Sequence, residues 1–240
     1  MSRRGILEVA VVWAMALSAI AAADASAAPT ESNTAFTCAP VTIGTGEFAD
    51  PDCTTKIGIE KSWSHVEIPE GEETQLTVEG TNVQEIESGL FGLIVNATEV
   101  ECEGCMVHNH EEAGGAMDLT GTGRLRYTGA TTNVGACVVT GGQFTTETLK
   151  FTTTTATNLL TEPAAGVTWA VIRFNAGCPI GAALTLTGKA NASLKGAFFT
   201  FATGLNELKV GKTTALLDGK GTMSAGPTGL THHPLALTPS

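Results

Sequence analysis

In Gly123-Arg-Leu-Arg-Tyr-Thr128, Leu125 and Tyr127 alternate with Arg124 and Arg126. A period of two places the apolar side chains on one face of an extended chain and the arginines on the other, as in a half-buried β-strand. The same period returns at Leu76 and Val78, which alternate with Thr77 and Glu79, and at Phe199 and Phe201, which flank Thr200. Working outward, short alternating or apolar runs cover 36–43, 62–68, 74–78, 90–101, 123–128, 136–140, 143–155, 167–175, 182–187, 192–202, 205–210 and 213–217. Gly, Asn or Asp interrupts them every ~8–12 residues, the spacing of a sandwich or barrel. The expectation is an all-β fold: an antiparallel β-sandwich or barrel-like single domain held by disulfides, after an N-terminal signal peptide. Trp169-Ala-Val-Ile-Arg-Phe174 is apolar on both parities and predicts a central strand buried on both sides. Asn158-Leu-Leu-Thr-Glu162, stopped by Pro163, reads as a loop. No linker splits the chain; residues 104–123, rich in Gly with Met and His, are only a weak candidate boundary, and a single domain is expected.

The first 28 residues carry the marks of an export signal. Arg3 and Arg4 are followed by an uncharged stretch over 9–23, and Ala25-Ser26-Ala27 fits a small-residue cleavage site. The uncharged stretch spans ~22 Å as a helix, short of a ~30 Å hydrocarbon core, so it predicts cleavage and not a stable membrane anchor. The expected division is a signal peptide over 1–28 and an extracellular domain over 29–240, secreted.

The net charge is −11, and removing the signal leaves it unchanged because Arg3 and Arg4 offset Glu8 and Asp24. An acidic chain lacks the basic surface that phosphates require, which argues against nucleic acid and anionic membranes as partners. Hydrophobic residues make up 42% of the chain, too many for a disordered polymer.

Cys38, Cys53, Cys102, Cys105, Cys137 and Cys178 are even in number, so an exported chain should oxidise them. Sequence alone leaves the connectivity open. Proximity suggests Cys38–Cys53, Cys102–Cys105 and Cys137–Cys178. The first and third would each contribute about 3–4 kcal/mol on a chain-entropy argument.

The densest polar cluster is Cys102-Glu-Gly-Cys105-Met-Val-His108-Asn-His110-Glu111-Glu112. Thiolates and imidazoles at close spacing suit Zn²⁺ or copper, with His108 and His110 as the core ligands. An oxidising compartment favours a disulfide beside a solvated His/Glu loop instead. Other constellations fail. There is no G-x-S-x-G elbow. Trp63-Ser64-His65 sets Ser and His on opposite faces of a strand. Gly211-Lys212-Thr213 lacks the earlier glycine of a phosphate loop, position 206 being Asn. Glu67, Glu70, Glu72 and Glu73 read as a solvated hairpin tip, Asp50-Pro-Asp52 as turn chemistry, and the Thr152–Thr155 run as an exposed edge strand.

Phe36-Thr-Cys38, Gly46-Glu-Phe48-Ala-Asp50-Pro-Asp-Cys53, Gly135-Ala-Cys137-Val-Val, Thr146-Glu-Thr148-Leu and Cys178-Pro179 together resemble a group of uncharacterised exported β-rich bacterial proteins. The resemblance implies an exported β fold, with no established activity and no catalytic residues to transfer. The Cys102–His110 stretch is not part of it.

The sequence therefore predicts a non-enzymatic extracellular β-domain with a binding or surface-structural role and an unknown extracellular or cell-surface ligand. Metal binding by the Cys102–Glu112 stretch and carriage of a small apolar ligand in the mouth of the fold are the alternatives.

Overall fold

A computed structural model describes residues 33–58, 60–80, 84–89, 92–112, 116–155, 157–201, 206–226 and 231–237. The export-signal reading over 1–28 lies outside the described residues. The strands are, first, β1 (Ala35–Pro40), β2 (Trp63–Glu67), β3 (Thr74–Gly80), β4 (Gln84–Glu87), β5 (Ile94–Ala97), β6 (Glu99–Glu111) and β7 (Met117–Thr128). Next come β8 (Thr131–Thr132), β9 (Gln143–Thr145), β10 (Leu149–Thr155), β11 (Asn158–Pro163), β12 (Thr168–Arg173) and β13 (Ala183–Thr187). The last are β14 (Ala190–Lys195), β15 (Phe198–Phe201), β16 (Lys209–Val210), β17 (Thr213–Thr214), β18 (Leu216–Gly226) and β19 (His233–Leu237).

Eight of these strands close an antiparallel barrel in chain order: β3, β6, β7, β10, β11, β14, β15 and β18, with β18 pairing back to β3. The all-β expectation resolves as a barrel and not a sandwich. Successive connections in such a barrel alternate between its ends. Short turns join β6–β7, β10–β11 and β14–β15 at one end. At the other, longer excursions carry the β4–β5–β8 ladder and the separate sheet β12-β13-β16-β17. A terminal arm, β19-β1-β2, branches from β18 and crosses the short-turn end.

An eight-stranded barrel is just wide enough for side chains to fill. Leu76, Val78, Leu125, Phe151, Leu159, Phe199, Phe201 and Met223 are buried, and the space left among them is about 20 Å³, room for about one water. The alternate positions point outward and carry charge: Glu79, Glu101, Arg124, Arg126, Lys150 and Lys220. That is the reverse of a lipid-facing barrel, whose outer band is apolar. Arg126 pairs across the strands with Glu101 and, at 3.1 Å, with Glu103. Half-exposed pairs of this kind contribute little to stability.

Buried threonines complete the wall where the ladder stops. Leu119 N donates to Thr153 Oγ1 at 2.9 Å, just beyond the last β7–β10 pair, Thr152 with Thr120. Leu125 N donates to Thr146 Oγ1 at 2.9 Å, and Thr161 Oγ1 donates to Ala190 O at 3.1 Å.

The bridges are Cys38–Cys53, Cys102–Cys105 and Cys137–Cys178, the pairing that proximity suggests. Three disulfides suit an oxidising environment.

Several local expectations change. Residues 102–111 are not a loop: they lie in β6, which faces β7 (Met117–Thr128) in the barrel wall. Asn158–Pro163 is strand β11, paired with β10 and β14, not a loop. The threonine run starts inside the wall, Thr152 pairing with Thr120 on one side and Leu160 on the other, while Thr154 and Thr155 lie past the end of the β7–β10 ladder and are exposed, as an edge would be. The glutamates after β2 link two strands that do not pair, so they form no hairpin tip. Trp169 and Ala170 are both buried because a register shift separates Thr168 from Ala170. Their strand β12 is the outer member of its sheet, held on its far side by isolated bridges at Thr146–Ala170 and Val139–Phe174.

Candidate functional site

The hairpin that sequence reading singled out is built around a bulge. Val100 and Cys102 face the core on even positions. After Gly104, whose φ is +60°, Cys105, Val107 and Asn109 face it on odd ones. The pairing shifts by one residue between Glu103 and Met106. An inserted residue reverses the parity of everything after it. The Cys102–Cys105 bridge spans this insertion, so it is a clamp on the bulge, and neither sulfur is available as a thiolate.

Beyond the bulge, His108 and His110 share the outward face of β6, opposite Thr120 and Asp118 of β7. His110 Nε2 lies 4.0 Å from Glu112 Oε1, with both side chains about half exposed. Asp118 Oδ1 accepts a hydrogen bond from Asn33 Nδ2 at 2.7 Å. Among the described residues, no three His, Cys, Asp or Glu side chains form a group able to hold a metal ion. The two imidazoles are thus neighbours on one face, without the further ligands that a closed site requires.

A sizeable concavity among the described residues lies elsewhere, where the arm leaves the barrel. Strand β18 pairs with β15 through Thr222 and, on the same side, with β19 from Ser224 onward. Ala197 O already accepts from Met223 N at 2.7 Å, so the β14–β15 hairpin occupies the position that β19 would need next. Beyond Pro234, β19 therefore leaves β18 and continues with β1. The fork holds a groove of about 740 Å³. Its floor is Met223 and Leu235. Ala197 and Phe198 form one wall, and Asp52, Cys53 and Thr54 form the other, with Lys195 and His65 among the polar lining groups. Phe198 is 62% exposed, unusual for so large a ring. A shallower depression of about 380 Å³ continues past it along the β15–β18 seam, between Glu79 and Lys220.

His65 packs on Phe48, with ring centroids 4.8 Å apart. Burial holds its imidazole below the ordinary histidine range; Glu47 pulls the other way and Lys56 adds to the lowering. His65, Ser224 and Asp52 all line the groove, but no hydrogen bond among the described residues joins them, so no nucleophile–base relay is assembled. The Asp52 neighbour Asp50 has a structural task. Its carboxylate accepts from Thr55 N at 2.6 Å, Asp52 N at 3.1 Å, and Thr54 N and Oγ1 at 3.2 and 3.1 Å.

The groove was not read from the sequence. Its residues come from five separate segments, and the one available signal was Phe198, an aromatic out of step with the alternation of Phe199 and Phe201. Comparison with known proteins adds no relative: no family model, curated protein or solved structure matches the chain.

Proposed function

We propose that the protein is a secreted, non-enzymatic β-domain that binds an extracellular or cell-surface ligand in the groove between its barrel and its terminal arm. The observation that carries this reading is where the free volume lies. The barrel interior keeps about 20 Å³, while the groove offers about 740 Å³ with an apolar floor and an exposed Phe198 at its rim. Ligand sites typically occupy ~300–1,000 Å³ and combine apolar walls with a few polar groups. A ligand with a compact apolar face fits this lining. The small-ligand carrier reading therefore moves from the barrel mouth to the groove.

Anilinonaphthalene sulfonate, an apolar ring system with one anionic group, is a suitable probe. Saturable binding at one site by the wild type, weakened at least ~10-fold by Phe198→Asp with unchanged circular dichroism, is expected. Equal binding by both proteins overturns the assignment.

The metal alternative keeps one favourable observation, the shared face of His108 and His110. Stoichiometric Zn²⁺ or Cu²⁺ in purified protein, lost in a His108→Ala/His110→Ala variant, is its test.

A further inference from the structure

One wall of the groove is attached differently from the rest of the molecule. Cys38, Phe48 and Cys53, with half-buried Trp63 against them, form a small core of their own, apart from the continuous core of the barrel. Residues 46–58 belong to no named strand. Their first part is tied by backbone bonds: Gly46 N donates to Lys61 O at 3.1 Å, and Glu47 N and Phe48 N donate to Trp63 O at 2.8 and 2.9 Å. Past Phe48 the hydrogen bonds turn inward on the segment itself. Ala49 N donates to Thr55 O, Cys53 N to Asp50 O, and the Asp50 carboxylate gathers residues 52–55. The covalent link from this turn to β1 is the Cys38–Cys53 bridge. Cys53 also has φ +52°, a left-handed conformation adopted by no other non-glycine among the described residues. Such a conformation persists only while its surroundings enforce it.

We propose, resting on the groove as the binding site, that the Cys38–Cys53 bridge is a redox latch on that site. A dithiol, either a small molecule or the active-site pair of a dithiol oxidoreductase, releases the Asp50–Thr55 turn from the groove wall while the barrel stays folded. The reductant's thiolate attacks Cys53 Sγ, on the residue of the pair with the greater exposure, 6% against 1% for Cys38. The Cys38–Cys53 bond breaks and Cys38 leaves as a thiolate that takes up a proton. The second thiol of the reductant then attacks the mixed disulfide and releases Cys53. The reductant ends as a disulfide, and two electrons and two protons have passed to the protein. Cys178, at 8%, is about as little exposed as Cys53, but Cys137 and Cys178 pack in the continuous main core, and it is this packing that sets their bridge apart from the Cys38–Cys53 pair.

Hydrogen exchange of the full chain tests the latch without any ligand. In a Cys38→Ser/Cys53→Ser variant, amides of residues 49–56 should exchange at least ~10-fold faster, while those of β6, β7 and β10 change less than ~2-fold. Unchanged protection at 49–56, or loss of protection throughout, overturns the proposal. A second measurement uses the unaltered protein: graded dithiothreitol with alkylation and mass mapping. Labelling of Cys38 and Cys53 at lower dithiol than Cys137 and Cys178, with near-ultraviolet circular dichroism retained, supports the latch; labelling together or in the reverse order sinks it. Neither readout uses the dye, so a failed latch leaves the groove assignment to the Phe198→Asp comparison.

Discussion

The side chain of Asn109 pairs with the backbone of Ala35 as a neighbouring strand would. Ala35 N donates to Asn109 Oδ1 at 2.9 Å, and Asn109 Nδ2 donates to Ala35 O at 3.1 Å. The same amide group donates to Ile68 O at 2.7 Å. All of this is buried, so one barrel residue supplies the ladder bonds that fix the arm across the short-turn end. Replacing Asn109 with Leu removes three hydrogen bonds and leaves buried backbone groups short of partners, a loss of about 3 kcal/mol. Urea unfolding of the Asn109→Leu variant checks this. A loss under about 1 kcal/mol would mean that the arm is held by its β18–β19 pairing and apolar contacts without help from the Asn109 side chain.

Gly123 on β7 lies directly against the bulge that Cys102 and Cys105 clamp. A Cβ added there would collide with Cys105 Sγ and sit 2.7 Å from Cys105 Cα. The obstruction is backbone and a bridged sulfur, neither of which can swing aside. Gly123→Ala should cost about 2–4 kcal/mol through overpacking. Alanine at Gly135, which has open space around it, is the control and should change stability by less than about 0.5 kcal/mol. Equal thermal midpoints for the two variants would contradict the packing described here.

Legibility in the sequence followed the integrity of the period. Leu125 and Tyr127, Leu76 and Val78, and Phe199 and Phe201 are uninterrupted alternations, and each falls on a barrel strand. Where a local device breaks the alternation, the strand disappears from view. In β6 the bulge moves the inward positions from even to odd, and the inward side chain at 109 is an amide used for the arm. Its partner β7 puts two glycines inside, Gly123 against the bulge and Gly121 against Val107, so no apolar residue marks those positions. Strand β11 puts Thr161 inside, and β18 puts Gly219 and Gly221 there. The groove was invisible for a different reason: it arises because the β14–β15 hairpin displaces β19 from β18, a competition between segments far apart in the chain.

Tyr127 is the single tyrosine of the chain, stacked on Phe144 at 4.7 Å and fully buried. Its hydroxyl has no hydrogen-bond partner among the described residues. Burial pushes the phenol well above its ordinary range. Two outcomes follow. Tyr127→Phe should leave stability within about 0.5 kcal/mol of wild type or raise it by up to about 1 kcal/mol, because an unpaired buried hydroxyl is removed. In an alkaline absorbance titration, tyrosinate should form only as the chain unfolds. The unfolded phenol ionises near pH ~10 and the buried one does not, so stability falls as pH rises beyond that value. A reversible tyrosinate transition near pH ~10 in folded protein would place the ring in solvent. A loss above about 1.5 kcal/mol in Tyr127→Phe would mean that an internal water serves the hydroxyl.

Asp50 gives the opposite sign at the acid end. Its slight burial raises the carboxyl pKa, but this is outweighed by backbone hydrogen bonds from Thr55 and Thr54 and by their side chains, which hold it at about 2 against an ordinary 3.8. Between those values the folded state binds fewer protons than the unfolded state. The contribution is therefore fully present above about pH 4 and is lost as pH falls toward about 2. Wild type should exceed Asp50→Asn in urea midpoint at neutral pH, and the gap should close across that acid window. Carbon-detected NMR of the Asp50 carboxyl should show its inflection near the lower value, with the Cys38–Cys53 bridge intact. A gap that stays constant through the acid range, or an ordinary carboxyl titration, would mean that the turn is ordered by its disulfide and not by the hydrogen bonds to Asp50.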